Sequence, residues 1–467
     1  MRGIEILCTV LMAALIAPSA SASNVTDFSP LDKAIQEELK VTNTPGCAVA
    51  IISDNKVVYA KGFGVANVES GQPVTPETLF LIGSTTKAFT AYTVLSLAEG
   101  GKVDINKPAG NYIEGMSPRL SNVTVHQLLS HTAGLKELSW PDDIKWDVES
   151  GLEERIRSFN DTLFFSEPGD VFSYSNEGFS LAGYLAQTVG GTPYSEAVAE
   201  RVLKPVGMNN STFYLETAVT HPMAVGHAGN ASEKLTVMRP FEEYAYLWPA
   251  GFLFSNVQDM ARFATALMNN GTLDGKQVLS SSIIKEMFTP HADLVSIYPG
   301  GSYGYGMMLH DYRGVDVVEH GGNQLSFTCV FKMVPEHKFA LIILNNGVSR
   351  EMPNSTRKAF EMMLPLKPEV VETPQDMNES EMARYVGNYS QDPQHPENAT
   401  GVIVKDGKLM LKSSSGHEMS IENAGKDLFT CAIPGNPDPM YIGFVPGKDG
   451  RIKYLHIGLR AAPKIEA

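Results

Sequence analysis

Apolar positions recur at helical spacing through the middle of this 467-residue chain, whereas runs typical of β-strands lie towards its two ends. Helical spacing predicts helices over 28–39, 84–97, 123–130, 179–189, 194–203 and 257–268. Strand-like runs lie at 47–52, 57–60, 315–319, 326–333 and 339–344, and 62–71 reads as a loop. This order predicts an α+β fold, in which one antiparallel sheet built from both ends of the chain is flanked by helices and lies beside an all-helical lobe.

The pattern changes after residue 365. Residues 366–379 are polar and rich in Pro and Glu without any period, which predicts a linker. Short apolar runs separated by turns such as 406–407 and 449–450 fill 380–467 and predict a small all-β, barrel-like domain. That domain contains no group of acids, histidines or cysteines suited to catalysis, so we expect a structural, lid or binding role. The main domain is expected at 24–365.

The first 22 residues have the pattern of a secretory signal peptide. Arg2 precedes an apolar run over 6–17, and an Ala-x-Ala site ends at Ala22. Asn-x-Ser/Thr acceptors for glycosylation are dense in the rest of the chain. These candidate sites are Asn24, Asn122, Asn160, Asn209, Asn210, Asn230, Asn270, Asn354, Asn378, Asn388 and Asn398. We therefore expect a secreted, extracellular glycoprotein.

Composition narrows the function classes further. The net charge is -15 and the basic residues are scattered, so a nucleic-acid surface is not expected, and no later segment is apolar enough to span a bilayer. No His-Glu-x-x-His motif, phosphate-binding loop or Gly-x-Ser-x-Gly elbow occurs, so we expect no metal and no cofactor. Once Cys8 leaves with the signal peptide, three cysteines remain, and Cys47 could pair with Cys329 or with Cys431.

The strongest candidate chemistry begins at Ser84. Residues three apart lie on one helix face, so the Ser84 hydroxyl and the Lys87 amine are expected within hydrogen-bonding reach. Apolar surroundings would desolvate Lys87 and populate its neutral amine, which can then accept the Ser84 proton. The alternative is a helix cap followed by a surface lysine. Partner motifs further along the chain favour the nucleophile.

Two later motifs supply the groups that acyl transfer needs. Tyr174 is a candidate proton shuttle whose phenolate a nearby Lys87 would favour, so either group could be the base. Asn176 would orient Lys87 and hydrogen-bond the substrate. Taken alone, Tyr-Ser-Asn would be a turn at the start of a helix.

The His-Gly-Gly motif comes directly after an apolar strand. Gly321 and Gly322 allow close approach of a backbone or a substrate, and N–H groups there can form one wall of an oxyanion hole. His320 would point into the cleft and polarise Tyr174 or contact substrate. Its alternative role is that of a surface histidine in a turn.

Taken together, the chain resembles the serine β-lactamase-like proteins, a group that includes class C β-lactamases, penicillin-binding proteins, esterases and D-aminopeptidases. The resemblance rests on Ser84-x-x-Lys87, Tyr174-x-Asn176 and His320-Gly321-Gly322 in this order, with further similar stretches at 128–135, 167–169, 205–208 and 250–255. It covers about residues 36–348, and the segment from 380 is similar to a small β-barrel appended to some members.

The resemblance implies an acyl-enzyme on Ser84, with proton transfers shared by Lys87 and Tyr174 and with Asn176 positioning the lysine. It also implies an oxyanion hole made by the backbone N–H groups of Ser84 and Asn323. The chain departs from β-lactamases in having His-Gly-Gly where they carry Lys-Thr-Gly, so a permanent positive charge for a substrate carboxylate is missing there. This favours a small-molecule ester, amide or peptide substrate over a β-lactam.

Two hypotheses follow from the sequence. The first is a secreted serine hydrolase that forms an acyl-enzyme. The second is a secreted structural protein of an extracellular matrix, including the matrix of a mineralised tissue, that retains the hydrolase fold without its activity. Acidity, secretion and dense glycosylation sites would suit the second, whereas the complete set of polar motifs favours the first.

Overall fold

A computed structural model describes residues 26–138, 149–229, 232–347, 352–369, 374–392, 394–433 and 439–465. The predicted signal peptide and the candidate glycosylation sites Asn24 and Asn230 lie outside the described residues.

The α-helices are α1 (Ser29–Thr42), α2 (Thr86–Glu99), α3 (Pro118–Ser121), α4 (Val125–Leu129), α5 (Ser150–Ser158), α6 (Asn176–Gly190), α7 (Tyr194–Val198), α8 (Lys204–Val206), α9 (Leu215–Ala218), α10 (Trp248–Gly251), α11 (Val257–Met268), α12 (Ser281–Met287), α13 (Pro353–Met363) and α14 (Glu379–Ala383). A single 3₁₀ turn, Gly83–Thr85, leads directly into α2, and a π-helical turn, Ala199–Leu203, joins α7 to α8.

The strands are β1 (Gly46–Ser53), β2 (Lys56–Asn67), β3 (Gln72–Pro73), β4 (Phe80–Leu81), β5 (His227–Ala228), β6 (Thr236–Val237), β7 (Phe254–Ser255), β8 (Thr272–Leu273), β9 (Lys276–Gln277), β10 (Ala292–Leu294), β11 (Gly301–Tyr303), β12 (Met308–Tyr312), β13 (Val315–Glu319), β14 (Gly322–Gln324), β15 (Phe327–Val334), β16 (Phe339–Asn345), β17 (Gly387–Tyr389), β18 (Thr400–Lys405), β19 (Lys408–Lys412), β20 (Glu418–Ser420), β21 (Glu422–Gly425), β22 (Leu428–Cys431), β23 (Met440–Pro446), β24 (Ile452–Ile457) and β25 (Arg460–Ile465).

The main sheet is antiparallel and contains strands from both ends of the main domain. Its strand order is β10-β11-β12-β13-β15-β16-β1-β2-β3, with β14 paired to β15. Alternate residues of β1 enter two different cores: Ala50 and Ile52 face the large core shared with the helical lobe, and Val49 and Ile51 face α1 and α13. A strand covered on both faces has no polar positions, which explains the uninterrupted apolar run. The predicted α+β class is confirmed.

The loop predicted at 62–71 is wrong for its first half, because β2 continues to Asn67. A Cβ on Gly62 would clash with the Val74 carbonyl, and one on Gly64 would clash with the Pro45 carbonyl. These glycines therefore allow neighbouring backbone to approach the strand and do not end it. Sequence patterns also missed the short strands β10 to β12, which lie together at one end of the strand order.

Helix starts are set by side chains that cap them. Ser175 accepts a hydrogen bond from the Gly178 N–H at 3.1 Å, so α6 begins at Asn176, three residues before the predicted start. Thr124 and Gln127 form a capping box that begins α4 at Val125. Asn256 caps α11, whose bounds agree with the sequence prediction.

The C-terminal strands form a separate all-β unit that curls into a nearly closed barrel. Its order is β20-β19-β18-β17-β25-β24-β23-β22-β21, so the two edge strands are adjacent in the chain. It has its own core, which includes Tyr389, Val402, Phe429 and Phe444. The segment predicted as a linker already contacts this unit, because the Gln375 N–H donates to the Asn423 carbonyl at 2.9 Å.

Cys47, Cys329 and Cys431 are all free thiols and all buried. They lie in three different cores, so neither of the pairings that the sequence allows is formed. Within the described ranges, every helix is too short or too polar to cross a membrane.

Candidate active site

Ser84 lies in the 3₁₀ turn between β4 and α2, at a point where the chain bends sharply. Gly83 has φ +52°, a conformation that glycine adopts without strain. The Thr86 hydroxyl donates to the Gly83 carbonyl at 2.7 Å and accepts from the Leu253 N–H at 3.2 Å, which ties the turn to the segment after α10. The Ser84 side chain is half-buried at the base of this turn.

Lys87 is fully buried one helical turn after Ser84, and its Nζ contacts three oxygens. These are Ser84 Oγ at 3.2 Å, Asn176 Oδ1 at 2.7 Å and the Ala250 carbonyl at 2.5 Å. Burial, aided by the charge of Arg460, lowers the pKa of Lys87 well below its ordinary value. A neutral amine can donate to Asn176 and Ala250 and use its lone pair to accept the Ser84 proton. The predicted proximity of Ser84 and Lys87 is confirmed.

The Tyr174 ring packs beside this amine, with Lys87 Nζ 4.7 Å from the ring centroid. Its hydroxyl is buried without a hydrogen bond of ordinary geometry to any described residue, although the nearby Ser84 hydroxyl lowers the phenol's pKa. Burial outweighs that effect and raises the pKa of Tyr174. Desolvation therefore acts on both groups and favours a neutral amine beside a neutral phenol.

Asn176 is the first residue of α6 and bridges Lys87 to an acid that the sequence did not indicate. Its Oδ1 accepts from Lys87, and its Nδ2 donates to Glu137 Oε1 at 3.2 Å. The Asn176 N–H, at the start of the helix, points to the same oxygen at 3.3 Å. The amide is thus fixed at both ends, as its predicted role in orienting Lys87 requires.

Glu137 is in turn paired with Arg460, the first residue of β25 in the C-terminal barrel. The Nη2–Oε1 distance is 2.7 Å, and Arg460 holds the pKa of Glu137 below its usual value despite burial. Burial and the neighbouring Glu137 raise the pKa of Glu177 to about 8. Both Glu137 and Arg460 were missed because each stands alone in sequence, 323 residues from its partner. No local pattern marks such a pair.

Behind Tyr174, two neutral histidines share the hydroxyl of Tyr303. His131 Nδ1 accepts from the Ser175 N–H at 3.0 Å, so its Nε2 carries the proton and donates to Tyr303 at 3.2 Å. His320 Nδ1 donates to the Gly321 carbonyl at 2.7 Å, which leaves Nε2 to accept from Tyr303 at 3.2 Å. These tautomers follow from the hydrogen bonds that each ring makes.

His320 is accordingly buried, and burial together with Lys87 lowers its pKa to about 3. Its ring centroid lies 6.0 Å from that of Tyr174, and its two hydrogen bonds go to Gly321 and Tyr303. The structure therefore places it beneath Tyr174 and not at the cleft surface. The sequence predicted that His320 would point into the cleft and polarise Tyr174 or contact substrate, with a surface histidine as the alternative. The residue is instead 1% exposed, and its ring hydrogen-bonds Gly321 and Tyr303.

Gly322 and Asn323 lie directly against the Ser84 turn. A Cβ on Gly83 would lie 2.6 Å from the Asn323 nitrogen, and one on Gly322 would lie 3.0 Å from the Ser84 nitrogen. The backbone nitrogens of Ser84 and Asn323 are the two that are expected to form an oxyanion hole. Gly83 and Gly322 allow the segments that carry them to approach each other closely. Gly321, by contrast, is exposed, and a Cβ there would meet nothing closer than 3.7 Å.

The barrel reaches this site through the turn between β24 and β25. Gly458 has φ +57° and forms with Leu459 a tight two-residue turn, so that Arg460 begins β25 directly after it, opposite Ile457. The Leu459 carbonyl accepts from the Tyr174 N–H at 2.8 Å, and the Ala461 N–H donates to Ser173 Oγ at 3.2 Å. The barrel therefore contacts the candidate site directly, and a structural, lid or binding role remains the prediction for it.

The fold and the group around Ser84 define the class of serine hydrolases that carry a Ser-x-x-Lys pair at the start of a buried helix. The chain belongs to the Beta-lactamase family, whose model matches residues 31–361.

Several known proteins are similar to the chain. It is 28% identical to unguisins hydrolase ungD' of Aspergillus campestris over 336 residues, which are 68% of this chain and 62% of that protein. It is 22% identical to protein flp of Staphylococcus aureus over 329 residues, covering 69% of this chain and 64% of flp. The chain thus spans less than two thirds of the length of these relatives.

Solved structures share the fold over nearly the whole chain. The octameric penicillin-binding protein homologue from Pyrococcus abyssi superposes with a TM-score of 0.65 at 25% identity, covering 94% of this chain and all of that one. The crystal structure of SurE superposes with a TM-score of 0.74 at 23% identity, covering 93% and 97%. The agreement extends through the C-terminal barrel, since coverage exceeds the 31–361 match.

Proposed function

We propose that this protein is a serine hydrolase that cleaves an ester, amide or peptide through an acyl-enzyme on Ser84. The single observation that carries the proposal is the contact between Ser84 Oγ and the buried Lys87 amine at 3.2 Å, with Asn176 and Ala250 fixing the amine from the other side. Burying a charged lysine without a full countercharge costs free energy. A lysine in this setting is therefore a candidate functional group. The relative named as a hydrolase agrees with this chemistry.

In the proposed first step, Ser84 Oγ attacks the substrate carbonyl carbon and its proton passes to the Lys87 amine. The oxyanion forms against the backbone N–H groups of Ser84 and Asn323. As the bond to the leaving group breaks, that group takes a proton from the Lys87 ammonium or through the Tyr174 hydroxyl. Water then attacks the acyl-enzyme, loses its proton to the same base, and releases the acid with Ser84 restored.

Labelling with a fluorophosphonate tests the proposal directly, because the probe needs an activated serine but no natural substrate. We expect wild type to be labelled and Ser84→Ala not to be. Ser326→Ala is the matched control: Ser326 is also half-buried and lies on the nearby β14–β15 turn, yet belongs to none of the contacts above. A panel of a chromogenic cephalosporin, a p-nitrophenyl ester and a D-amino-acid amide would then give the substrate class. Wild type without labelling would favour the structural-protein hypothesis.

We further propose that the protein is secreted and glycosylated. The side chains of eight candidate asparagines in the described ranges are exposed, as attachment of a glycan requires: Asn122, Asn160, Asn209, Asn270, Asn354, Asn378, Asn388 and Asn398. Expression in a eukaryotic secretory host followed by glycosidase digestion should give a decrease in mass. Recovery of unmodified protein inside the cell would contradict the proposal.

A further inference from the structure

A continuous set of polar contacts connects the barrel to the candidate base. Arg460 donates to Glu137 at 2.7 Å, Glu137 accepts from the Asn176 amide at 3.2 Å, and the same amide accepts from Lys87 at 2.7 Å. Arg460 also lies over the Tyr174 ring, with its guanidinium carbon 5.7 Å from the centroid. The Arg460 side chain, which belongs to the barrel, thus lies beside both Glu137 and Tyr174.

Lys87 is surrounded by several ionisable groups, so its charge state depends on their sum. Glu137 and Glu177 favour the ammonium, whereas Arg460 opposes it. The remaining groups near Lys87 are neutral: His131, Tyr174 and His320. Glu177 faces Arg155 at 3.7 Å, but burial and Glu137 raise its pKa to about 8, so it carries little negative charge at neutral pH. The balance at Lys87 therefore depends on whether Glu137 is compensated.

We propose that Arg460 is a positioning residue that neutralises Glu137, so that Asn176 stays bridged and Lys87 keeps the free amine that the proposed acylation of Ser84 requires. The proposal rests on the proposed function of this site. It makes the β24–β25 turn of the barrel a part of the active site, and docking of the barrel a condition for activity at neutral pH.

The physical reason is the cost of an isolated carboxylate in this setting. Without Arg460, the half-buried Glu137 carboxylate, whose side chain is 33% exposed, would lie one amide away from the buried amine without its cation, and its negative charge would favour the ammonium form of Lys87. Lys87 would then be an ammonium and could not accept the Ser84 proton. With Arg460 present, the carboxylate already has its cation, and desolvation keeps the amine neutral.

The pH dependence of fluorophosphonate labelling tests this inference. The labelling rate should rise with pH as Lys87 loses its proton. Because Arg460→Met leaves Glu137 uncompensated, we expect its acid limb to move to higher pH by about one unit, or about tenfold slower labelling on that limb. In Arg460→Lys, the acid limb should lie close to its wild-type pH, since lysine returns the positive charge. In the Glu137→Gln background, Arg460→Met should move the acid limb to higher pH by clearly less, because the acid that Arg460 compensates is gone and only its direct repulsion of the ammonium is lost.

Lys453→Met provides the matched control. Lys453 is another half-exposed cation of the barrel, and it pairs with Asp170 of the main domain away from Lys87. Its removal should weaken the same domain contact and leave the acid limb in place. Circular dichroism of each variant checks that the fold is retained.

The outcomes are distinct. A limb that shifts in Arg460→Met, returns in Arg460→Lys and shifts clearly less when Arg460→Met is made in the Glu137→Gln background supports the inference. Slower labelling of Arg460→Met by the same factor at every pH, or an equal shift in Lys453→Met, would show that Arg460 acts only in docking and would overturn it. No labelling of wild type at any pH overturns the proposed function itself, and this inference with it.

Discussion

Lys87 and Tyr174 owe their chemistry to burial as much as to residue type. Both are ionisable, both are enclosed, and desolvation moves their pKa values in opposite directions, down for the amine and up for the phenol. The result is a neutral pair beside Ser84, in which the amine can accept a proton and the phenol can donate one. The sequence left open which of the two is the base, and the enclosure of both groups favours the amine.

The Tyr174 hydroxyl provides a test that separates activity from stability. Because it is buried without a hydrogen bond of ordinary geometry to a described residue, Tyr174→Phe should leave the free energy of unfolding unchanged or raise it by up to about 1 kcal/mol. Removal of a proton shuttle should nevertheless slow turnover by about 100-fold or more. Urea unfolding and the hydrolysis rate measure the two effects.

Tyr303→Phe is the control for that variant. Its hydroxyl is equally enclosed but serves both His131 and His320, so its loss should cost about 1–3 kcal/mol of unfolding free energy. If Tyr174→Phe were destabilised as much as Tyr303→Phe, the Tyr174 hydroxyl would have a structural partner and its proposed role would be contradicted.

At the scale of elements, the β14–β15 hairpin sets the position of the nucleophile turn. The hairpin carries Gly322 and Asn323 against Gly83 and Ser84, and the Thr85 hydroxyl donates to the His320 carbonyl at 2.8 Å. Two segments more than 230 residues apart are thereby held together by a side-chain hydrogen bond and by the close approach of backbone at the glycines. Such a contact requires a residue without a Cβ on each side.

The two glycines of His-Gly-Gly should accordingly differ in their tolerance of alanine. A Cβ on Gly322 would overlap the Ile82 carbonyl, so Gly322→Ala should destabilise by about 1–3 kcal/mol and abolish most activity through movement of Ser84. Gly321→Ala is the matched control, because its Cβ meets only ordinary contacts at 3.7 Å. Thermal unfolding and labelling rates would measure this, and equal effects at both positions would refute the steric explanation.

At the scale of the whole molecule, two units with separate cores meet at the active site. The contacts between them are polar and partly exposed: Lys453 and Tyr454 with Asp170, His456 with the Phe172 carbonyl, and Arg460 with Glu137. A small apolar group of Val171, Tyr454 and Ala461 lies between them. An interface of this kind joins domains without merging their cores.

The three buried cysteines allow the two units to be followed separately. Burial raises the pKa of each thiol, to about 12 for Cys329, so none should react with iodoacetamide in the native protein at pH 8. In increasing urea, we expect Cys431 to become reactive before Cys47 and Cys329, because the barrel has the smaller core. Mass spectrometry of peptides would identify the order, and simultaneous modification would show that the two units unfold as one.

How much the sequence could predict depended on the range of the interaction. The helices from Phe28, Ser84 and Val257 and the strands 47–52 and 339–344 follow from apolar periodicity, and the structure places them within a few residues. The prediction was wrong for the first half of the loop at 62–71 and missed the strands of 292–312. In these segments, close approach of backbone or a position near the sheet edge sets the structure, and periodicity does not.

The sequence by itself determined the class of fold and the motifs Ser84-x-x-Lys87, Tyr174-x-Asn176 and His320-Gly-Gly, because spacing along a helix and turn chemistry are local properties. Only the tertiary structure decided that Lys87 is enclosed, that His320 lies beneath Tyr174, and that Glu137 and Arg460 complete the site. Desolvation and the pairing of charges depend on what surrounds a group in space, and residues hundreds of positions away provide those surroundings here.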